Sequence, residues 1–409
     1  MATTMWQQSS PPSSGEIQTI DPDRAADIEA KHRLVGEFLE RHGYDALLLE
    51  EPQNFAWFTS GGDATRRGSS ESTAALFITP DARVAVTNNV DSGQLFDREL
   101  HGMGFQLKER PWPEPGRLLV DDLCRGRSVA GDVDRSGIRD ISVHLTGMRI
   151  PLTDFEARRL ADLGRGVAHA VEATCRQLEA GRTEADVAGE LAHRLLKQGI
   201  RPDRLQVAGD GRGRRYRHWT FTDERVDRYA VVSAVGQRHG LLVSATRTVS
   251  FGEPPREIRD AHHRAVLMQA TGMFFSQREW ELFEIWNRVE RIYEKFNYPN
   301  EWRLADQAEV IGYYLRELPV VPNSEYRLTP NVPVHWHPSV GPALVGDTVL
   351  VGEKGFELLT PMEQWPRVTV KVKGVPIPRP DILRRDRMIA AAGDSILSFT
   401  GLTDDSALD

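Results

Sequence analysis

Residues 229–252, YAVVSAVGQRHGLLVSATRTVSFG, decide the fold. Two apolar runs, residues 230–235 and 240–243, flank the polar turn Gly236-Gln237-Arg238-His239, and a third extended run covers residues 246–251. The stretch therefore reads as a curved antiparallel meander. Such a sheet needs helices to cover it, and the sequence supplies them on both sides. Residues 154–178 place Leu160, Leu163, Val167, Ala170, Val171 and Cys175 at helical spacing and stop before Gly181, and Thr183-Glu184-Ala185-Asp186 is a capping box for a helix through Lys197. After the meander, residues 257–273 and 280–296 repeat the pattern, with Ser276 to Glu279 read as a second box. Strands resume at residues 333–335 and 348–351, so two related halves are expected, each of helices and antiparallel strands.

Upstream lies a mixed α/β pattern. Residues 22–42 carry Ala25, Ile28, Leu34, Val35, Phe38 and Leu39 near helical spacing, with Gly43 as the stop. Residues 45–49 (DALLL) and 54–59 (NFAWFT) read as strands, and residues 73–78 and 83–87 as a hairpin. A helix around residues 118–124 and a strand at 128–132 follow, and residues 146–154, with Pro151, form the expected linker. Residues 1–20 are rich in Ser, Pro and Gln without period and read as a disordered tail. At 409 residues the chain exceeds one ordinary core, so domains are expected at 21–150 and 151–400.

Composition excludes several classes. Lys and Arg total 51 against 59 Asp and Glu, a net charge of −8, which argues against a nucleic-acid partner held by phosphate neutralisation. The two cysteines, Cys124 and Cys175, form no disulfide framework or metal-ligand spacing, which fits a reducing cytoplasm. No run reaches the roughly 18–20 apolar residues that span a bilayer, and the N-terminus lacks a signal-peptide pattern, so no membrane association is expected.

Several blocks then occur in a telling order: residues 46–59 (ALLLEEPQNFAWFT), Arg217-His218-Trp219, Ser244 through Thr246-Arg247-Thr248, Gly312-Tyr313 through Arg316-Glu317, Trp336-His337-Pro338-Ser339, and Gly346-Asp347-Thr348-Val349-Leu350-Val351 with Gly355 and Leu359-Thr360. Across residues 21–360 the chain resembles the creatinase and Xaa-Pro aminopeptidase family, and the resemblance implies an α/β (α+β) chain with a creatinase-like N-terminal domain before a pita-bread C-terminal domain. It also implies a homodimer and a small-molecule or short-peptide substrate. In that family two Asp residues, eleven apart before a Thr-Arg-Thr tail, bridge two divalent cations. Here those positions hold Ser233 and Ser244. The family's His ligand falls near Ala305 or Asp306, the Glu before Pro falls on His337, and the Glu of the final strand on Gly346. Hard cations need carboxylate or imidazole ligands, which these positions largely lack, so neither metal nor other cofactor is expected and the chain reads as a divergent member without the metal ligands.

One reactive position is retained. His218 stands fifteen residues before Ser233, where the family keeps a substrate-side His that creatinase uses as acid and base without metal. The expected function is a metal-independent hydrolase or lyase on a small C–N substrate, with His218, Glu317 and His337 as the catalytic set and Asp306 and His335 as further candidate partners for His218. Tyr313, Arg316, His335, Trp336 and Arg247 are the expected substrate contacts, with Arg316 the clamp for an anionic group. Alternatives are a catalytically silent relative that binds a ligand in the old cleft, and an Xaa-Pro aminopeptidase with a rebuilt metal site. His335 and His337 alternate along a strand, so both face one side with Trp336 on the other, and with Asp306 or His218 they offer a mononuclear site. The basic run GDGRGRRYR, residues 209–217, lacks a phosphate-loop ending and reads as a loop at the pocket mouth.

Overall fold

The computed structural model describes residues 20–66 and 69–386, so nearly all of the expected N-terminal tail and the polar C-terminal end lie outside the described residues. The first helix, α1 (Pro22–His42), starts where Asp21 accepts hydrogen bonds from the backbone N–H groups of Asp23 and Arg24, and it ends at Gly43 in the left-handed conformation, φ 71°. Its face of Ile28, Val35, Phe38 and Leu39 packs into the core. Behind it lies a six-stranded mixed sheet of β1 (Ala46–Leu49), β2 (Ala74–Ile78), β3 (Arg83–Asn88), β4 (Gln106–Arg110), β5 (Val129–Gly131) and β6 (Ile138–Asp140), in the order β4-β3-β2-β1-β5-β6. Helices α2 (Pro52–Phe58), the one-turn α3 (Ser92–Gln94), α4 (Arg117–Cys124) and α5 (Ser142–Arg149) connect the strands.

Two expectations change here. Residues 54–59 are not a strand: Pro52 starts α2 and Asn54, Phe55, Ala56, Trp57 and Phe58 are all buried, so the run shows no alternation that separates strand from helix. The expected linker begins inside α5, whose Leu145 and Arg149 are buried.

The second half is built from α6 (Asp154–Gln177) and α7 (Glu184–Lys197), each opened by a Thr capping box, then β7 (Arg201–Gly209), β8 (Tyr229–Arg238) and β9 (Leu241–Phe251). The opening stretch forms two long strands rather than three, because His239 and Gly240, φ 54° and 76°, make a tight turn that brings residue 238 opposite residue 241. Strand β7 carried no reading in the sequence; its polar outer half, Arg201 to Arg204, hides the pattern. Helices α8 (Arg256–Phe275) and α9 (Leu282–Lys295) follow, the latter capped by Glu281 and Glu284 rather than by Ser276 and Glu279.

The later strands are β10 (Ala308–Val310), β11 (Leu318–Pro319), β12 (Pro333–Trp336), β13 (Ser339–Val340), β14 (Ala343–Leu344), β15 (Asp347–Val351), β16 (Phe356–Leu358), β17 (Arg367–Val372), β18 (Val375–Pro380) and β19 (Leu383–Arg385). They give a five-stranded sheet, β11-β10-β12-β15-β16, that lies against the four-stranded sheet β19-β9-β8-β7, while β13–β14 and β17–β18 form two-stranded ribbons. The two large sheets meet where Thr246 donates its backbone N–H to the Gly346 carbonyl at 2.8 Å. Helix α6 covers β8 and β9 from outside, so both strands are buried on two faces and read as continuous apolar runs.

The halves are joined by buried charge. Lys31 Nζ of α1 lies 2.8 Å from Asp27, 2.6 Å from Glu156 of α6, and donates to the Trp57 carbonyl and Ser60 hydroxyl. Glu156 also accepts from the Tyr313 hydroxyl at 2.6 Å. Among the described residues no helix is long and apolar enough to cross a membrane.

Candidate functional site

Strand parity builds the site. On β10, Ala308 and Val310 point into the core beneath α8 and α9, so Glu309 points the other way. On β12, Val334 and Trp336 do the same, leaving His335 on Glu309's side, where the register sets the two residues directly opposite. His337, two residues beyond His335, stacks on it with ring centroids 4.8 Å apart and planes 15° from parallel. Glu309 Oε2 lies 2.5 Å from His337 Nε2, and one ligating atom each from Glu309, His335 and His337 fall within 4.8 Å of one another. His335 and Glu309 are buried, and burial first, then His337 and Arg204, hold the His335 imidazole well below the usual histidine range, so it stays neutral.

His337 opens onto a narrow cleft of about 30 Å³ shared with Arg204, Gln206, His218, Trp219, Asp306 and Ser339. His218 Nε2 faces Asp306 Oδ2 at 4.0 Å, and Asp306 is in turn paired with Arg316 at the rim. Partial burial, followed by Arg204, His337 and Arg316, lowers the His218 pKa, which leaves a neutral imidazole able to accept a proton at pH 7.

The expected set is therefore divided. The structure brings together His218, His337, His335, Asp306 and Arg316. It sets Glu317, Tyr313, Trp336 and Arg247 elsewhere. Glu317 pairs with Arg149 at 2.7 Å and caps the Tyr313 and Tyr314 backbone N–H groups. Tyr313 reaches the Lys31–Glu156 network instead of the cleft. Trp336 is fully buried on Gly272 of α8, its Nε1 donating to Ser276 Oγ at 2.9 Å, because its strand parity opposes that of the histidines. Arg247 is enclosed between Glu172 at 3.0 Å and Asp347 at 2.8 Å, a charge clamp between α6 and β15 with no solvent exposure. Ala305 and Asp306, the place expected for the family's His ligand, lie outside the strands, and Glu309 is the residue that faces His335 across the sheet. Glu309 was visible only as a lone acid between apolar neighbours in an Ala-Glu-Val run.

The residues present do not fit a dinuclear cation centre. The Ser233 hydroxyl accepts from Thr246 Oγ1 at 2.9 Å, and the backbone of Ser244 is held by Thr348 Oγ1. A Cβ at Gly346 would stand 2.5 Å from Thr246 Oγ1, so the close approach of β15 to β9 leaves no space for a carboxylate there. Glu309, His335 and His337 supply by themselves one carboxylate and two imidazoles, a donor set suited to a single transition metal.

Residues 158–355 match the model of metallopeptidase family M24. No curated protein matches the chain at a significant level. Among solved structures, the prolidase from Pyrococcus horikoshii OT3 superposes with a TM-score of 0.71 at 15% identity, covering 82% of this chain and 99% of that one. The Xaa-Pro dipeptidase from Bacillus anthracis gives 0.70 at 16% identity, covering 88% and 100%. The X-Pro aminopeptidase from Thermotoga maritima MSB8 gives 0.67 at 19%, covering 81% and 98%. These identities establish the architecture, and the family match covers the half that carries the cleft. Residues 158–355 are thus similar to metallopeptidase family M24, and the solved structures give the chain the pita-bread fold.

Proposed function

We propose that the chain is a hydrolase for a C–N bond in a small substrate, working without a two-metal centre and using His218 as general acid and base beside the Glu309–His337 pair. The observation that carries this reading is the 2.5 Å contact between Glu309 Oε2 and His337 Nε2 on the wall of the cleft that also holds His218. A carboxylate so close fixes the His337 tautomer with its proton on Nε2. A volume of about 30 Å³ seats a water molecule. His218 takes a proton from that water as its oxygen bonds to the substrate carbon, and gives the proton to the departing nitrogen as the C–N bond breaks. Positioned proton transfer of this kind contributes about 10²–10⁴-fold in rate. Following the family resemblance, the active species is a cytoplasmic homodimer that takes a small molecule or a short peptide.

A second reading is favoured by one observation, the convergence of Glu309, His335 and His337 within 4.8 Å. In it one divalent transition metal rests on those three residues and activates the water. Against it stands Arg204, a cation close enough to lower the pKa of both His335 and His218, which disfavours a second cation at the same place.

The deciding experiment combines metal analysis with turnover of Xaa-Pro dipeptides and small amides before and after chelation. Turnover that survives chelation and falls about 10²-fold or more in His218→Ala supports the proposal. Turnover lost on chelation, with one metal per chain, transfers the chemistry to the metal. Absence of turnover on every substrate leaves a silent relative that binds in the cleft.

A further inference from the structure

Beyond the residues that match the family model, β17 and β18 form a ribbon whose two edges differ. Lys373 and Gly374, φ 51° and 83°, make its tight turn, so Val372 stands opposite Val375 and the later pairs follow in step. Pro376, Pro378 and Pro380 thereby fall opposite Lys371, Thr369 and Arg367. Proline has no N–H, so these pairs cannot exchange hydrogen bonds, and the ladder runs through the alternate pairs Val372–Val375, Val370–Ile377 and Val368–Arg379. The backbone N–H and C=O groups of Arg367, Thr369 and Lys371 therefore point away from β18. Among the described residues no hydrogen bond takes them up. The outer edge of β18 is closed by its prolines, whereas β17 offers a row of free donors and acceptors on exposed residues.

The ribbon is held firmly. Val372 and Ile377 are buried against α8, Arg379 donates Nε to Gln269 Oε1 at 3.0 Å and pairs with Asp347, and the Pro380 carbonyl meets His262 Nε2 at 3.1 Å. An edge fixed in this way needs little ordering before a further strand adds to it.

Side chains set what that strand must be. Arg367, Thr369 and Lys371 stand exposed on the outer face, and Val368 and Val370 lie half-buried on the inner face beside Val372. Arg367 donates to the Met362 carbonyl at 3.0 Å, but neither it nor Lys371 nor Lys373 has an ion pair among the described residues. A second copy pairing edge to edge about a two-fold axis at Thr369 would set Arg367 against Lys371 twice, like charges face to face, which disfavours it.

We infer that the β17 edge is a docking site for an extended acidic segment of another protein, added as a third, antiparallel strand. Its carboxylates lie opposite Arg367 and Lys371, a β-branched residue lies opposite Thr369, and apolar residues between them cover Val368 and Val370. The inference is independent of the hydrolase reading above.

The test is fluorescence anisotropy of the full chain with labelled peptides built on Ser-Glu-Val-Thr-Val-Glu-Ser. This peptide is expected to bind saturably, and its counterpart with Lys for Glu about tenfold more weakly or worse, the difference shrinking in high salt. N-methylation of the central Thr, whose amide faces Thr369, should weaken binding about tenfold, while N-methylation of a Val amide, which faces solvent, should cost less than about threefold. Arg367→Glu combined with Lys371→Glu leaves the β17–β18 ladder untouched and should reverse the preference between the two peptides. Thr369→Pro removes one outward N–H and should weaken the Glu peptide; if that variant fails to fold, the charge-reversed one still decides. Equal binding of the Glu and Lys peptides, an unaffected N-methyl-Thr peptide, or no saturation by the Glu peptide overturns the inference. So does a dimer in sedimentation that Thr369→Pro dissolves, which would give the edge to a second copy.

Discussion

Glu309 and His337, 28 residues apart in sequence, meet with Oε2 and Nε2 at 2.5 Å because two antiparallel strands place them on one face. Glu309→Gln keeps the shape of the side chain and removes its charge, so His337 Nε2 loses its carboxylate partner. We expect kcat to fall at least about 10²-fold, with circular dichroism unchanged. A pH–rate profile checks the assignment: Glu309 is a charge that raises the His218 pKa, so the acid limb should move to lower pH in Glu309→Gln, whereas a purely structural glutamate would lower the rate without moving the limb.

Arg247 should prove structural. Its guanidinium is fully enclosed by Glu172 and Asp347, and removal leaves Glu172 with Arg176 alone at 3.5 Å and Asp347 with Arg379 alone. Arg247→Ala is expected to cost about 3–5 kcal/mol in urea unfolding. A loss under about 1 kcal/mol, together with weakened substrate binding, would return Arg247 to the cleft.

Acid should loosen the fold at His262. This imidazole is buried with Nε2 against the Pro380 carbonyl at 3.1 Å, and burial pushes its pKa down from 6.5 to about 4. The unfolded chain therefore binds the proton first as pH falls. Stability from this group is complete above about pH 6.5 and is lost between there and pH 4, on the order of 2 kcal/mol by pH 5. His262→Gln should flatten the slope of urea midpoints between pH 7 and pH 5, and an unchanged slope would refute the assignment.

Restoring a carboxylate at residue 346 should not restore a metal centre. With a Cβ 2.5 Å from Thr246 Oγ1, Gly346→Glu forces β15 away from β9. About 1–3 kcal/mol of destabilisation is expected, with no gain of metal in elemental analysis. Stoichiometric metal in that variant at undiminished melting temperature would show that the strands part freely.

Much of the architecture was legible where local signals agree. Gly43 and the Thr183 capping box mark helix ends through backbone requirements that do not depend on the rest of the fold. The common orientation of His335 and His337 followed from strand period alone. What remained hidden depends on partners distant in sequence. The buried run around Trp57 has no polar face to reveal its period, and β7 is half exposed at its polar end. Glu309 gained meaning only from the register that sets it opposite His335, and Arg247 from two carboxylates 75 and 100 residues away. Trp336 and Tyr313 belong to the right sequence blocks, but parity and a buried glutamate turn their side chains from the cleft.

The Lys31–Asp27–Glu156–Tyr313 cluster limits how the molecule can move. Swinging the N-terminal half away would strand an ammonium and two carboxylates at a surface that excludes water until the joint is open, so hinge rotation between the halves is the expensive motion. Amide hydrogen exchange should accordingly be slow around residues 31, 60 and 156 and faster through residues 212–228, where most side chains are at least partly exposed. Access to a cleft this narrow then belongs to that connection, which carries His218 and Trp219 themselves. In the proposed reading, the segment that admits the ligand also carries the acid–base group, so that arrival and alignment become one event.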